Sequence, residues 1–538
     1  MRLLTLFILG CGAKESGFSV PAAASDSGST MIMTPSDTGR SDTGRSDTGS
    51  GDTGVQPVDC DQCSVSPLST VASLPEDAFT TSMDRTQNNP LKGFMTSYLW
   101  GEPYNDFPDQ MEFLYIPLSE LWDASGETLD SGLEPLLVAA EGRGHHVVLR
   151  VFLDYPNRPS GLPEYLADVV SCTPYSEHGG GCSPDYEHPA LQEAMFGLIA
   201  ALGERYDGDT RLGFVQVGLL GFWGEWHTWP HSEWFPSDAT QEAVLVAYES
   251  AFTQTHLQLR YPVSSSVSRR IGFHDDSFAH STLGDVEWFF VPRMEAAGAS
   301  ERWQEVPIGG ELRPELQSSV FSDDYVLGEN AQDIRECITQ THASYLLNYY
   351  AFNGDGVGYT DEARWQAEQA AHAMGYTFEV HGARIKVGDL LDGQVSLIME
   401  IELTQTGVAP FYYPLFLSVY SEALDGLTVS EDDLSELLPG DVHAVRVDLG
   451  RVSVDVVNGP ITLGLESGIL QESQSIAFAT MTPWSDPAGP TRLRWDLVCE
   501  TDEGLIKLGE TSGQTSDGCA CVCDVDGRLW SCQGVPCE

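Results

Sequence analysis

From about Phe79 to Tyr376, short apolar and β-branched runs alternate with longer amphipathic stretches, the pattern of repeated βα units. Eight runs read as strands, over 93–99, 113–118, 147–153, 212–217, 257–264, 271–274, 306–310 and 344–349. Apolar residues at helical spacing predict helices between them, over 133–141, 189–206, 240–253 and 331–342. Pro189 suits a first helical turn, because proline lacks the amide that a helix start leaves unpaired. Eight strands with intervening helices over this length predict an α/β fold, a (β/α)8 TIM-type barrel, with the sixth strand and its following helix the faintest part of the pattern.

From Thr377 to about Val498 the period shortens to two, in FEVHGARIKV, VSLIMEIEL, PLFLSVY, HAVRVDL and ITLGLES, with turn residues between. That alternation predicts an antiparallel β-sandwich. The closing GCACVCDVDGRLWSCQGVPCE holds too few apolar residues for a core and must be stapled by disulfides. Its cysteine spacing loosely resembles secreted pacifastin or von Willebrand type C modules, but its first cysteines stand one residue apart. DVDG at 524–527 has part of a calcium loop without the remaining ligands. At the other end, 12–59 is Ser/Thr/Gly/Asp-rich, with SDTGR repeated from Ser36, and reads as a disordered spacer. The boundaries that follow are 1–11 for a leader, 12–75 for the spacer, 76–376 for the barrel, 377–500 for the sandwich and 501–538 for the tail.

Charge narrows the partners. The 538 residues carry 80 acids against 27 bases, a formal net charge of -53, which repels nucleic acid phosphates and anionic membrane surfaces. The opening MRLLTLFILGC has an apolar run too short to span a bilayer. Ile8 to Cys11 resembles the lipobox of bacterial lipoprotein signal peptides. That resemblance implies that Cys11 is lipidated and anchors an exported protein to outer-membrane lipid, with outer-membrane or surface display. Disulfides are then expected, and Cys172 and Cys182, flanking one loop, are the clearest pair. Six of the twelve cysteines lie at or beyond Cys499, leaving Cys60, Cys63 and Cys337 to share one bond and one free thiol.

The chemistry concentrates in GLLGFWGEWHTWP, which follows the fourth strand run. Glu225 stands there among Trp223, Trp226 and Trp229, beside His227. Tryptophan faces are platforms for sugar rings, and an acid held among them is costly unless used. The bland alternative makes the tryptophans core and Glu225 a structural ion-pair partner. Other strand ends supply Asp154 and Tyr155, then His274, Asp275 and Asp276, then Glu311 in PIGGEL, then Asn348, Tyr349 and Tyr350. Arg150 and Arg260 lie within strands, as buried ion-pair partners or as the floor of a site. Acids facing one another among aromatics suit glycoside chemistry, and Glu225 with Glu311 is the pair expected to carry it. Glu311 has the alternative of capping a helix near Pro314. His227 has no second histidine at metal-binding spacing, and no P-loop, dinucleotide fingerprint or G-x-S-x-G elbow occurs, so neither metal nor cofactor is expected.

NPLKGF, VVLRVFLDYP, GFWGEWH, the Arg260 to Pro262 tripeptide and PIGGEL together resemble an uncharacterised bacterial family, a domain of unknown function with an expected glycosidase-like barrel and β-sandwich. The likeness covers about Asn89 to Trp484. Glu225 and Glu311 occupy the strand-four and strand-seven positions of the acid/base and nucleophile in clan A glycoside hydrolases. There an asparagine precedes the acid/base, whereas Gly224 precedes Glu225. The implied function is a surface-anchored glycoside hydrolase acting on a glycan or oligosaccharide. A non-catalytic carbohydrate-binding protein on a degenerate barrel is the alternative.

Overall fold

The computed structural model describes residues 71–263, 265–352, 358–501, 504–511, 519–524 and 529–532. Cys11, the spacer up to 70, Cys60, Cys63, Cys537 and most of the DVDG run lie outside the described residues. Eight parallel strands form the barrel: β1 (Gly93–Met95), β2 (Met111–Pro117), β3 (His146–Phe152), β4 (Leu212–Gln216), β5 (His256–Leu259), β6 (Ile271–Phe278), β7 (Ile308–Leu312) and β8 (Tyr345–Leu347). They pair in the order β1-β8-β7-β6-β5-β4-β3-β2. A bridge between Thr96 and Glu112, with the Phe113 amide donating to the Thr96 carbonyl at 2.9 Å, brings the two ends of that sheet together. Buried on both faces, these strands read as near-continuous apolar runs, which is why all eight were visible in the sequence.

Three strand ends differ from expectation by four residues or more, and the first is β1, which stops at Met95 rather than running to 99. β5 stops at Leu259 rather than running to 264, because Pro262 cannot donate to a ladder. β6 runs four residues further than expected, to Phe278, with a register shift against β7 between Asp275 and Phe278 that re-aims its side chains at the barrel mouth.

The sandwich consists of two four-stranded antiparallel sheets. One contains Phe378–Val387, Gln394–Gln405 and Val442–Ser453, and the other Phe416–Tyr420, Thr428–Val429, Ile461–Glu466 and Thr491–Leu493. The first is completed by Val71–Ser73, which pairs with Phe378–Val387. The spacer expected over 12–75 therefore gives up its last residues to the sandwich. Sheet pairing supplies the backbone partners that a Ser/Thr-rich composition could not reveal.

The sandwich packs under the N-terminal ends of the barrel strands. The Asn89 side chain exchanges hydrogen bonds with the Ala477 backbone at 3.0 and 2.8 Å, Gln471 donates to the His145 carbonyl at 2.9 Å, and Tyr413 donates to the Gly213 carbonyl at 2.5 Å. One hydrophobic core runs from Leu91, Met111, Phe113, Phe214 and Tyr345 in the barrel to Ile385, Met399, Leu417 and Val447 in the sandwich. His146, fully buried at this end, is structural, as its place at the start of β3 implies.

Cys172–Cys182 closes a hairpin after β3, Cys499–Cys523 ties the tail to the sandwich, and Cys337 is a buried free thiol. Because the core is continuous, barrel and sandwich should unfold in one cooperative urea transition, and Asn89→Ala should lower stability by about 1–3 kcal/mol, the penalty for stranding buried polar groups. Two resolved transitions by fluorescence and circular dichroism would contradict the shared core.

Candidate functional site

Glu225 is positioned by a tightly wound loop. Between Leu219 and Trp226 five residues have left-handed backbones: Leu219 (φ 69), Gly221 (79), Trp223 (55), Gly224 (65) and Trp226 (58). Bulky residues in this region cost about 1–3 kcal/mol each and persist only where the surroundings over-determine them. The surroundings do so here. The Leu219 amide donates to Val151 O and the Trp223 amide to Asp154 O, both at 2.7 Å, while Gly221 N donates to the Tyr186 hydroxyl at 3.0 Å. Trp226 Nε1 donates to Val217 O at 2.7 Å. A Cβ on Gly221 would lie 2.4 Å from His227 O, and one on Gly224 would lie 3.2 Å from both Leu219 N and Val151 O. At Gly224 a side chain would be crowded as well as left-handed, which favours glycine there.

Beneath Glu225 lies Arg150, whose side chain is 2% exposed. Its Nε donates to Gln216 Oε1 at 2.7 Å, Nη1 to Glu225 Oε1 at 3.3 Å and Nη2 to Asp276 Oδ2 at 2.7 Å. Gln216 in turn donates to the Tyr345 hydroxyl at 3.2 Å, and Tyr345 hydrogen-bonds Gln258. Arg260 Nε stands 4.0 Å from Glu225 Oε2 and 3.7 Å from Asp276 Oδ2, and its Nη1 is 3.2 Å from Asp275 Oδ1. Both arginines therefore form the floor of the mouth.

Burial opposes the Asp276 charge, but Arg150, His274 and Arg260 outweigh it and hold its carboxyl far below the usual range. His274, its Nδ1 2.9 Å from Asp276 Oδ1, is pushed down to about 4 by burial and is neutral. Glu311, at the end of β7, is the opposite case. Burial, then the negative charges of Asp276 and Glu225, lift its carboxyl well above its ordinary value against the pull of the two arginines. It rises from a strand rather than capping the segment near Pro314.

The other expected residues divide. Trp223 is partly buried, its ring 5.9 Å from His227 and 5.0 Å from His178 between centroids. His227 Nε2 is 3.6 Å from Glu225 Oε2. Trp229 is 68% exposed, while Trp226 at 6% belongs to the barrel core. Asp275 is spent on Arg260 and on the Thr282 hydroxyl at 2.7 Å. Asn348 is buried as a turn cap, accepting from Ala351 N at 3.3 Å, and Tyr349 packs edge-on against Trp100. Asp154 accepts from the Tyr175 hydroxyl at 2.6 Å, and burial raises it to about 6 despite that bond.

Sequence reasoning missed Tyr175 and His178. Both come from the disulfide-closed loop, whose Gly180 carbonyl accepts from Asn157 N at 2.6 Å and so docks on the segment after β3 that carries Asp154. The cysteine pair flanking CTPYSEHGGGC was the available signal.

No family model matches the chain, and no curated protein matches it. Among solved structures, the lactosyl-enzyme intermediate of endo-glycoceramidase II from Rhodococcus sp. is similar to it at 12% identity, covering 69% of this chain and 99% of that one, with a TM-score of 0.35. Xylanase XynB from Paenibacillus barcinonensis is similar at 12% identity over 53% of this chain and 97% of its own, with a TM-score of 0.28. At these scores the site has to be read from its own residues.

The packing separates the tryptophans. Trp226→Ala should cost about 3–5 kcal/mol of stability, as large core truncations do. Trp229→Ala should leave the melting temperature within a degree or two. Thermal unfolding of the two variants checks the contrast.

Proposed function

We propose that the protein is a carbohydrate-active enzyme that hydrolyses O-glycosyl bonds, with Glu311 as proton donor and Glu225 as the ionised carboxylate that works with it. The observation that carries this reading is the unequal treatment of two acids at one barrel mouth. Glu225 faces two buried guanidinium groups, whereas the partly exposed Glu311 side chain makes no hydrogen bond or ion pair among the described residues and is crowded by negative charge. A guanidinium favours a carboxylate, and uncompensated burial favours an acid. Protonated Glu311 would give its proton to the departing glycosidic oxygen. Ionised Glu225 would attack the anomeric carbon or take a proton from the attacking water. These roles are the reverse of those that the clan A resemblance implies for the two strand positions. Trp223 and Trp229 offer the faces for sugar rings.

Leaving-group dependence tests the assignment. Glu311→Gln should lower kcat/KM about 10²- to 10⁴-fold on alkyl glycosides yet spare dinitrophenyl glycosides, whose leaving group needs no proton. Glu225→Gln should abolish turnover of both. Since Glu311 must be protonated and its value is raised, wild-type activity should persist above the ordinary glutamate range and fall as pH rises through that raised value. The opposite pattern, with Glu225→Gln rescued by the activated leaving group, would return the roles to the clan A order.

Non-catalytic glycan binding is the second reading, favoured by Gly224 in place of asparagine. Under it, both variants would keep wild-type glycan affinity and no glycoside in a panel would be turned over.

Export and anchoring through Cys11 belong to the same proposal. The closed Cys172–Cys182 bridge supports an oxidising compartment. Cys11→Ser should move the protein from the particulate to the soluble fraction, and its staying particulate would exclude the anchor.

A further inference from the structure

Arginines in this chain are scarce and almost all are spoken for. With 80 acids against 27 bases, a described arginine usually meets a carboxylate, as at Arg211, Arg269 and Arg364, or a backbone carbonyl, as at Arg85 and Arg451. Among the described residues Arg335 meets the Gln366 side-chain amide instead, and Arg158 and Arg293 have neither a carboxylate nor a backbone carbonyl. Each lies on a tyrosine ring instead: the Arg158 guanidinium carbon is 4.8 Å from the centroid of Tyr155, and that of Arg293 is 3.8 Å from Tyr261.

Both tyrosines belong to the mouth. Tyr155 follows β3, its ring centroid 6.5 Å from that of Trp223, while Tyr261 follows β5 and also carries Arg260, the floor arginine 4.0 Å from Glu225, at 4.3 Å from its centroid. Arg158 is therefore one ring away from Trp223, and Arg293 shares the Tyr261 ring with the floor arginine Arg260. The two come from opposite sides of β4, Arg158 from the segment after β3 and Arg293 from the helix Phe290–Ala296 after β6. Arg158 is exposed and meets water, whereas Arg293 is partly buried, so the cost of a missing counter-charge falls on Arg293. A guanidinium held partly out of water without a counter-charge is costly, and in so acidic a chain a carboxylate could readily have been supplied.

The floor has the opposite character. Arg150 and Arg260 are outnumbered by Glu225, Asp275 and Asp276 even with Glu311 protonated, so a negatively charged sugar is repelled there. Cations on the rim above an acid-rich floor discriminate by position along a chain of sugars.

We propose that the barrel mouth takes an acidic glycan, holding an uncharged sugar unit on the floor while Arg158 and Arg293 engage carboxylate or sulfate groups on the flanking units. This inference rests on the glycan-active reading of the same site. Arginine is suited to the role because its planar fork meets either oxyanion through paired N–H groups while its face stays on the tyrosine.

The probes are two polymers in which charged and uncharged units alternate, each with its neutralised counterpart: hyaluronan against carboxyl-reduced hyaluronan, and κ-carrageenan against its desulfated form. Binding to the Glu225→Gln/Glu311→Gln protein, which removes turnover, should favour one charged polymer over its counterpart by about tenfold or more. The preferred pair tells carboxylate from sulfate. Arg158→Gln and Arg293→Gln should each weaken the charged form about three- to tenfold and leave the neutral form unchanged, and the preference should shrink as salt screens it. No preference in either pair, or a preference that survives in the double arginine variant, overturns the proposal. The hydrolase reading fails separately: a charge preference without turnover by the wild-type protein would sink hydrolysis and leave the acidic-glycan inference standing, whereas turnover of neutral glycans alone would do the reverse.

Discussion

The Arg150 guanidinium is the interaction on which the arrangement of the mouth depends. A charge buried to this degree is tolerated only with its donors paired, and its partners come from two strands and a loop: Gln216 on β4, Glu225 in the loop after β4, and Asp276 on β6. It is held from below as well as above. Phe214 stacks on Tyr345 at 5.2 Å, Tyr345 meets Gln216 and Gln258, and Gln216 fixes the guanidinium. The site is thus the upper end of a column that begins in the sandwich core.

That column explains the division of labour between the two ends of the barrel. The sandwich covers the N-terminal strand ends and continues the apolar core into the barrel, so the C-terminal ends are left for chemistry. Stability gathered below supports strain above. Left-handed tryptophans at Trp223 and Trp226 are affordable because their amides, and the Trp226 indole, are fixed to Asp154, Leu220 and Val217. The loop then presents Glu225 and Trp223 to the mouth while Trp226 points into the core.

Charge at the mouth is graded with height. Arg150, Arg260, Asp275 and Asp276 form a nearly dry floor, Glu225 and Glu311 stand above it in contrasting electrostatic surroundings, and tyrosines carrying Arg158 and Arg293 lie beside them. The same two arginines that keep Asp276 ionised do not overcome the burial of Glu311, because their donors are already turned to Asp276, Glu225 and Asp275.

The sequence by itself determined the eight barrel strands, the long helix Pro189–Tyr206, the sandwich that follows, the Cys172–Cys182 pair and the location of Glu225 at a strand mouth. These are local matters: parallel strands covered on both faces are written as contiguous apolar runs, helix starts and turns need particular residues, and a short cysteine loop can close on itself. Tertiary structure alone decided which tryptophan faces the mouth, that Val71–Ser73 joins the sandwich, and that the Glu311 carboxyl is raised above its ordinary value. Arg150 is 75 residues from Glu225 and 126 from Asp276 along the chain, and no periodicity reports a charge that distant. A carboxyl's protonation is set by the sum of burial and neighbouring charge in space, so it came into view only when the strands were brought side by side.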